Sequence, residues 1–290
     1  MIGSRVGLRV GPRVGVASGV AEDPVGSLSA GGGGGGGGGA AETPIGSLIP
    51  GVTADATSGF HCPANTAEWQ LVYTAAGISP ALTPGGLWLM QEASGNLADS
   101  TATFTLTASG TGLAYQQAVT GWTRKAVTTT EGGTGVFTNA DGGLNDVGVG
   151  NIAMLGYVKT TTSVTRRSIL GLGLSATRCA AERAATSGFG SMVCGANSQD
   201  GAADPSSSVR PWLVQMSRSQ TLAPLYTNTE KVIPAFGATA SGRQVTFGAL
   251  ALSSSACSYL YGAVFLGNPG NLTEAQWRAL LTALRWNVAW

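Results

Sequence analysis

Residues 5–16, RVGLRVGPRVGV, place Arg5, Gly7, Arg9, Gly11, Arg13 and Gly15 on one side at period two, and Val6, Leu8, Val10, Pro12, Val14 and Val16 on the other. Arg5, Arg9 and Arg13 also align at i, i+4, but a glycine in every tetrad, the β-branched valines and Pro12 all oppose a helix. The pattern predicts an extended ribbon, apolar on one side and basic or bare on the other. A lone strand leaves its backbone groups unpaired and buries little, so the ribbon needs a sheet edge in its own chain, a sister copy or a larger assembly.

From about Pro50 the chain becomes a series of short apolar segments separated by Gly, Ser, Asn and Pro. Strands are predicted over 69–75, 86–93, 101–109, 151–160, 167–174, 211–218, 243–252 and 258–267. In 101–109, TATFTLTAS, Ala102, Phe104 and Leu106 share one face and threonines the other. A helix starting at Thr66 competes with the strand over 69–75, because NTAEWQLV opens on cap-forming residues. The other helix is clear: Thr273 and Gln276 have capping-box spacing, and Trp277, Leu280, Leu281 and Leu284 follow i, i+3, i+4, i+7. Many strands with turn signals between them predict an all-β, two-sheet antiparallel sandwich on which this C-terminal helix lays its apolar stripe.

Composition adds the organisation. Nine consecutive glycines, Gly31 to Gly39, separate the echo PVGSL (24–28) from PIGSL (44–48). A flexible coil of that length reaches roughly 15–18 Å root-mean-square. The expected division is an extended attachment arm over 1–30, a Gly-rich linker over 31–49 and a globular domain over 50–290. The run reads equally as a tether or as drift of a simple repeat. Only 11% of residues are charged and the net charge is +1, so no basic field for nucleic acid is expected. No apolar run follows Arg5, Arg9 and Arg13 as in a secretory leader, and none reaches the roughly 18 residues of a membrane span. Cys62, Cys179, Cys194 and Cys257 have no CxxC spacing, and with the single His61 they form no zinc set. Buried free thiols are one reading of them. A bridge between Cys179 and Cys194, 15 residues apart in what could be a hairpin, is another.

The order SGNLADSTATFTLT, AYQQAVTGWTRKAV, NIAMLGYVKTT, RQVTFGALAL and SYLYGAVFLGNPGNLTEAQWRALL, over roughly 85–290, resembles the concanavalin A-like, laminin G-like jelly rolls. Gly248, Gly262, Leu272, Thr273 and Glu274 match that family's small-residue turn and the helix start after its last strand. The resemblance implies a jelly-roll sandwich closed by the C-terminal α-helix, to which the ribbon adds an extended N-terminal arm. The layout of short RVG repeats, low-complexity linker and jelly roll resembles tailed-bacteriophage virion surface proteins: head decorations, fibres or tail appendages.

The candidate chemistry is sparse. No E-x-D-x-x-E run of jelly-roll glycoside hydrolases and no G-x-S-x-G elbow occurs, and His61, between Phe60 and Cys62, is expected to be structural, so no catalytic residue is assigned and no enzyme is expected. Asn139, Asp141, Asn145 and Asp146 form a weak candidate calcium set, against the alternative of a solvated Asx-Gly turn; no other cofactor is expected. Trp122, beside Arg124 and Lys125, and Trp212, after the polar loop 197–208, are candidate glycan platforms or else half-buried strand residues.

The resulting expectation is a structural virion surface protein. Its arm (Arg5, Val6, Leu8, Arg9, Val10, Arg13, Val14) would bind other virion proteins, in several copies or as a homo-oligomer. Such a chain would be made in the host cytoplasm without a signal peptide and displayed on the extracellular particle. A glycan-binding adhesin for host attachment is the alternative, and a glycan depolymerase the third reading.

Overall fold

The computed structural model describes residues 43–79, 85–102, 104–130, 133–139, 149–158, 167–172, 179–183, 190–194, 197–200, 210–217, 225–227, 231–232, 245–248, 254–255, 258–265 and 272–290. The ribbon 5–16, the whole arm 1–30 and the glycine run lie outside the described residues.

Among the described residues two antiparallel sheets dominate, so the expected all-β sandwich is what the chain forms. The elements run α1 (Thr66–Ala75), β1 (Gly86–Trp88), β2 (Thr107–Ser109), β3 (Leu113–Gln117), β4 (Ala126–Thr129), β5 (Val136–Thr138), β6 (Val149–Val158), β7 (Arg167–Leu172), β8 (Cys179–Arg183), β9 (Gly190–Cys194), β10 (Asn197–Asp200), β11 (Arg210–Ser217), β12 (Leu225–Thr227), β13 (Lys231–Val232), β14 (Val245–Gly248), β15 (Ser254–Ser255), β16 (Ser258–Phe265) and α2 (Glu274–Ala283). The first sheet has the order β13-β12-β11-β6-β16-β4-β3, with β1 also on β16. The second has the order β10-β9-β8-β7-β14-β5-β2, with β15 added parallel to β7.

The sheets meet through aromatic edges. Trp88 of β1 lies T-shaped on Phe247 of β14 at 5.7 Å, and Tyr115 of β3 on Phe137 of β5 at 5.9 Å. Met90, Leu97, Leu106 and Val127 are buried with them. Leu87, one residue before Trp88, belongs instead to a second core with Leu213 of β11 and the buried faces of both helices. This is the period-two alternation of a strand buried on both sides. The first sheet is thus sandwiched between the second sheet and a layer built from segments 43–79 and 272–290.

The helix expectations resolve in physical terms. The capping box of α2 forms as expected, Thr273 with Gln276, and Trp277, Leu280 and Leu281 are its buried residues. Residues 69–75 are helix and not strand, because the Asn65 side chain accepts the Glu68 N–H as N-cap and Trp69, Val72 and Tyr73 recur at helical spacing. The strand expected over 101–109 shrinks to β2. Asp99 accepts from the N–H groups of Leu87, Thr101 and Phe104 and from the Thr101 hydroxyl, which turns the chain there and leaves Ala102 at φ 59°. Likewise 86–93 is strand only over β1, since Met90 takes φ 59°.

Gly248, at φ 101°, ends β14 so close to Gly135 that an added Cβ would stand 2.4 Å from its carbonyl oxygen. Both the dihedral and the contact require glycine there. Gly262 follows the irregularity in the β16–β6 register.

Candidate functional site

The most built part of the described surface begins at Asp55. The stretch DATSG, 55–59, is a turn sequence in which the acidic side chain bonds its own following backbone. Asp55 Oδ1 accepts the N–H groups of Thr57 (3.0 Å) and Ser58 (2.8 Å). Its Oδ2 accepts those of Thr123 (2.8 Å) and Arg124 (2.9 Å), which belong to a loop between the strands. Burial raises the pKa of Asp55, but the backbone N–H groups of Ser58, Arg124 and Thr57 outweigh it and hold the carboxyl below its ordinary value. A buried carboxylate therefore locks two loops together, and Thr57 and Thr123 join their hydroxyls above it at 2.9 Å.

Beside this lock stands an aromatic stack. Phe60 lies face to face with Trp286 at 3.9 Å and with Trp122 at 5.6 Å. Phe60 and Trp286 are buried, while Trp122 is half-buried and forms the outer rim. The rigid loop continues outward. Arg124 Nη2 donates to the Leu89 carbonyl at 3.1 Å, and Gln91 Nε2 to the Lys125 carbonyl at 2.7 Å. Gln116 Nε2, on the bulged strand β3, donates to the Gln91 and Glu92 carbonyls. Glu92 Oε1 accepts the Ala98 N–H at 2.8 Å, and its Oε2 is buried without a hydrogen-bond partner. Tyr115 donates to the Gly95 carbonyl, and burial followed by the nearby Glu92 charge raises its pKa. Met90 and Gln116 both hold left-handed dihedrals, φ 59° and 53°, which cost a non-glycine residue energy and recur where a site is over-determined. The result is a shelf of exposed polar groups on Thr57, Thr123, Lys125, Gln91 and Gln116, fixed from below and rimmed by one indole.

Of the sequence-derived residues, Trp122 and its neighbours Arg124 and Lys125 fall on this shelf. Trp212 lies in mid-strand of β11, paired with Met154 of β6 and Thr227 of β12. Asn139 is buried just after β5, while Asp141, Asn145 and Asp146, like the arm residues, lie outside the described residues. Among the described residues no group of three or more His, Cys, Asp or Glu side chains could hold a metal ion, and no helix is long and apolar enough to cross a membrane.

His61 is fully buried, with Nδ1 donating to the Ala283 carbonyl at 2.9 Å and Nε2 accepting the Ile49 N–H at 3.1 Å. Those partners fix a neutral tautomer; burial depresses its pKa, with the Arg285 charge adding to the effect and the Ala283 bond opposing it. Cys62 is a buried free thiol pushed up by burial. Sequence reasoning missed Asp55, Gln91, Glu92, Tyr115 and Gln116. Only Asp55 carried a local signal, in its turn sequence.

No family model and no curated protein matches the chain. Solved structures do match in fold. A Trypanosoma rangeli sialidase in complex with sialic acid aligns at TM-score 0.51 and 10% identity, over 71% of this chain and 34% of that one. The same sialidase as a covalent intermediate with 2,3-difluorosialic acid aligns at TM-score 0.52 and 10% identity, over 83% and 35%. This chain spans about a third of the length of the sialidase chains it matches. At such identity the likeness shows the fold alone, a β-sandwich that also occurs in sialidase chains.

These matches correct the expectation that the chain is no enzyme. That expectation rested on the missing paired carboxylates, the missing nucleophile elbow and a structural His61, whereas the same sandwich occurs within the chains of glycosidases. A fold shared with sialidase chains removes the ground for the exclusion.

Proposed function

We propose that the chain is a glycan-binding β-sandwich and that the shelf around Trp122 is its contact surface. The carrying observation is the four-fold backbone grip of Asp55, which rigidifies loop 122–125 beside the indole rim. Sugar recognition calls for a ring against a sugar face and a few polar groups held in place beforehand. Preorganisation matters because each loop or side chain ordered on binding subtracts from affinity. The exposed Lys125 ammonium suits a carboxylate-bearing sugar, and the sialic acid bound by the matched sialidase is one such sugar.

The test is calorimetric titration of the full chain with sialylated and neutral oligosaccharides, with free sugar release followed in the same samples. Lys125→Ala is expected to weaken binding of the acidic sugar by roughly 2- to 10-fold, the worth of one hydrogen bond, without moving Tm. Trp122→Phe, which keeps a ring on the stack, is expected to weaken it further. Equal affinity in both variants, or no binding of any oligosaccharide, overturns the proposal.

The alternation of residues 5–16 favours a second, compatible reading in which the sandwich is mounted on a tailed-phage particle by strand addition. Removing residues 1–30 is then expected to abolish incorporation. A truncated copy at normal occupancy on purified particles would overturn it.

A further inference from the structure

In the second sheet Leu172, Cys179, Cys194 and Asn197 form one row across β7, β8, β9 and β10. Cys179 and Cys194 are therefore register partners in an antiparallel pair, 15 residues apart in sequence. The kind of pair follows from the next hairpin. β9 ends at Cys194 and β10 begins at Asn197, so the partners Cys194 and Asn197 close a two-residue connection. A two-residue loop closes on a hydrogen-bonded pair, because the alternative would require its two adjacent loop residues to bond each other. A strand residue directs its N–H and C=O to one neighbouring strand only, so Cys194, bonded toward β10, is in a non-hydrogen-bonded pair with Cys179. Such pairs have Cα atoms about 4.5 Å apart, inside the roughly 4.4–6.8 Å range of disulfides.

We propose that Cys179 and Cys194 form a cross-strand disulfide that acts as a redox-responsive staple of the β8–β9 hairpin. With glutathione disulfide as oxidant, one cysteine thiolate attacks it and releases a glutathione thiolate. The second cysteine then attacks the protein sulfur of the mixed disulfide, forming the Sγ–Sγ bond and releasing the second glutathione. Two cysteine thiols are oxidised and one glutathione disulfide is reduced to two thiols. A reducing cytoplasm keeps the staple open, and oxidising surroundings close it. Closure ties down strands beside β10, which ends the sheet among the described residues.

The experiment equilibrates the full chain with glutathione redox buffers, alkylates the remaining thiols, and maps linkages by proteolysis and mass spectrometry. Two of the four cysteines are expected to become unavailable, in a single peptide pair joining 179 and 194. The oxidised chain is expected to melt roughly 5–10 °C above the reduced chain, a shift absent from the Cys179→Ser/Cys194→Ser double variant. Four alkylated cysteines after oxidation overturn the proposal, as does glutathione stalled on one sulfur or a linkage through Cys62 or Cys257.

Discussion

The sandwich and the layer that covers it are held by different means. Between the sheets, stability comes from repeated backbone ladders and apolar contacts such as Trp88 with Phe247. In the covering layer, segments far apart in the chain are stitched by single polar side chains. His61 reaches Ala283 across 222 residues, and Arg285 reaches the carbonyls of Ile45, Gly46 and Gly59 across 240, 239 and 226. A ladder distributes its strength over many similar bonds. A stitch concentrates it, so the layer should fail at identifiable atoms and the sandwich should not.

The largest expected effect tests whether the layer still depends on an apolar core. Trp277→Ala empties the centre of the helix-covered cluster and is expected to cost about 3–5 kcal/mol in urea unfolding. Leu106→Ala in the sandwich is expected to cost about 2–5 kcal/mol. A Trp277→Ala loss below 1 kcal/mol would mean the layer contributes little beyond its stitches.

Asp55→Ala removes the acceptor of four backbone N–H groups and is expected to cost about 2–4 kcal/mol and to weaken glycan binding at Trp122. Unchanged binding in this variant would separate the lock from the shelf.

A subtler comparison lies within the layer. Both helices end in the same hydrogen-bonded motif, with Gly77 N–H on Thr74 and Ile78 N–H on Tyr73 after α1, and Arg285 N–H on Thr282 and Trp286 N–H on Leu281 after α2. The left-handed residue is Gly77 in one and Arg285, at φ 72°, in the other. Arg285→Gly relieves the backbone but loses the carbonyl clamp, so a net loss of about 1–2 kcal/mol is expected, with Arg285→Ala losing more. If the glycine variant is the more stable protein, the clamp is not what holds the arginine there.

The smallest effect is read by pH. The folded chain keeps His61 neutral, with a pKa below 6.5, while the unfolded chain titrates at the ordinary value. The unfolded state therefore binds more protons between those two values. Stability is full above pH 6.5 and falls as pH drops through it toward the folded pKa, with a slope of at most about 1.4 kcal/mol per pH unit. Asp55 titrates separately: its folded pKa lies below 3.8, so its contribution persists above that value and is lost as pH falls further. His61 is the chain's one histidine, so a His61→Gln variant should lose the dependence that sets in as pH falls below 6.5; an unchanged profile refutes the assignment.

What was legible in the sequence follows from which signals are local. Alternation over 151–160, 211–218 and 258–267 marked β6, β11 and β16 to within a few residues, because a strand's two faces repeat every second position. The Thr273 capping box and the stripe from Trp277 fixed α2, because cap and stripe lie within three turns. Short strands such as β3, β5 and β10 were not marked, since three to five residues without clear alternation carry too little pattern.

The amino-acid sequence by itself determined the all-β class, the long strands and the start of α2, each a matter of neighbouring residues and backbone preference. Tertiary structure decided that 69–75 is helix, that His61 is a neutral stitch, that Arg285 holds a glycine's dihedral, that Asp55 locks a loop under Trp122, and that Cys179 stands opposite Cys194. Those outcomes depend on hydrogen bonds and registers between residues that only folding brings together, and no local propensity encodes the partner.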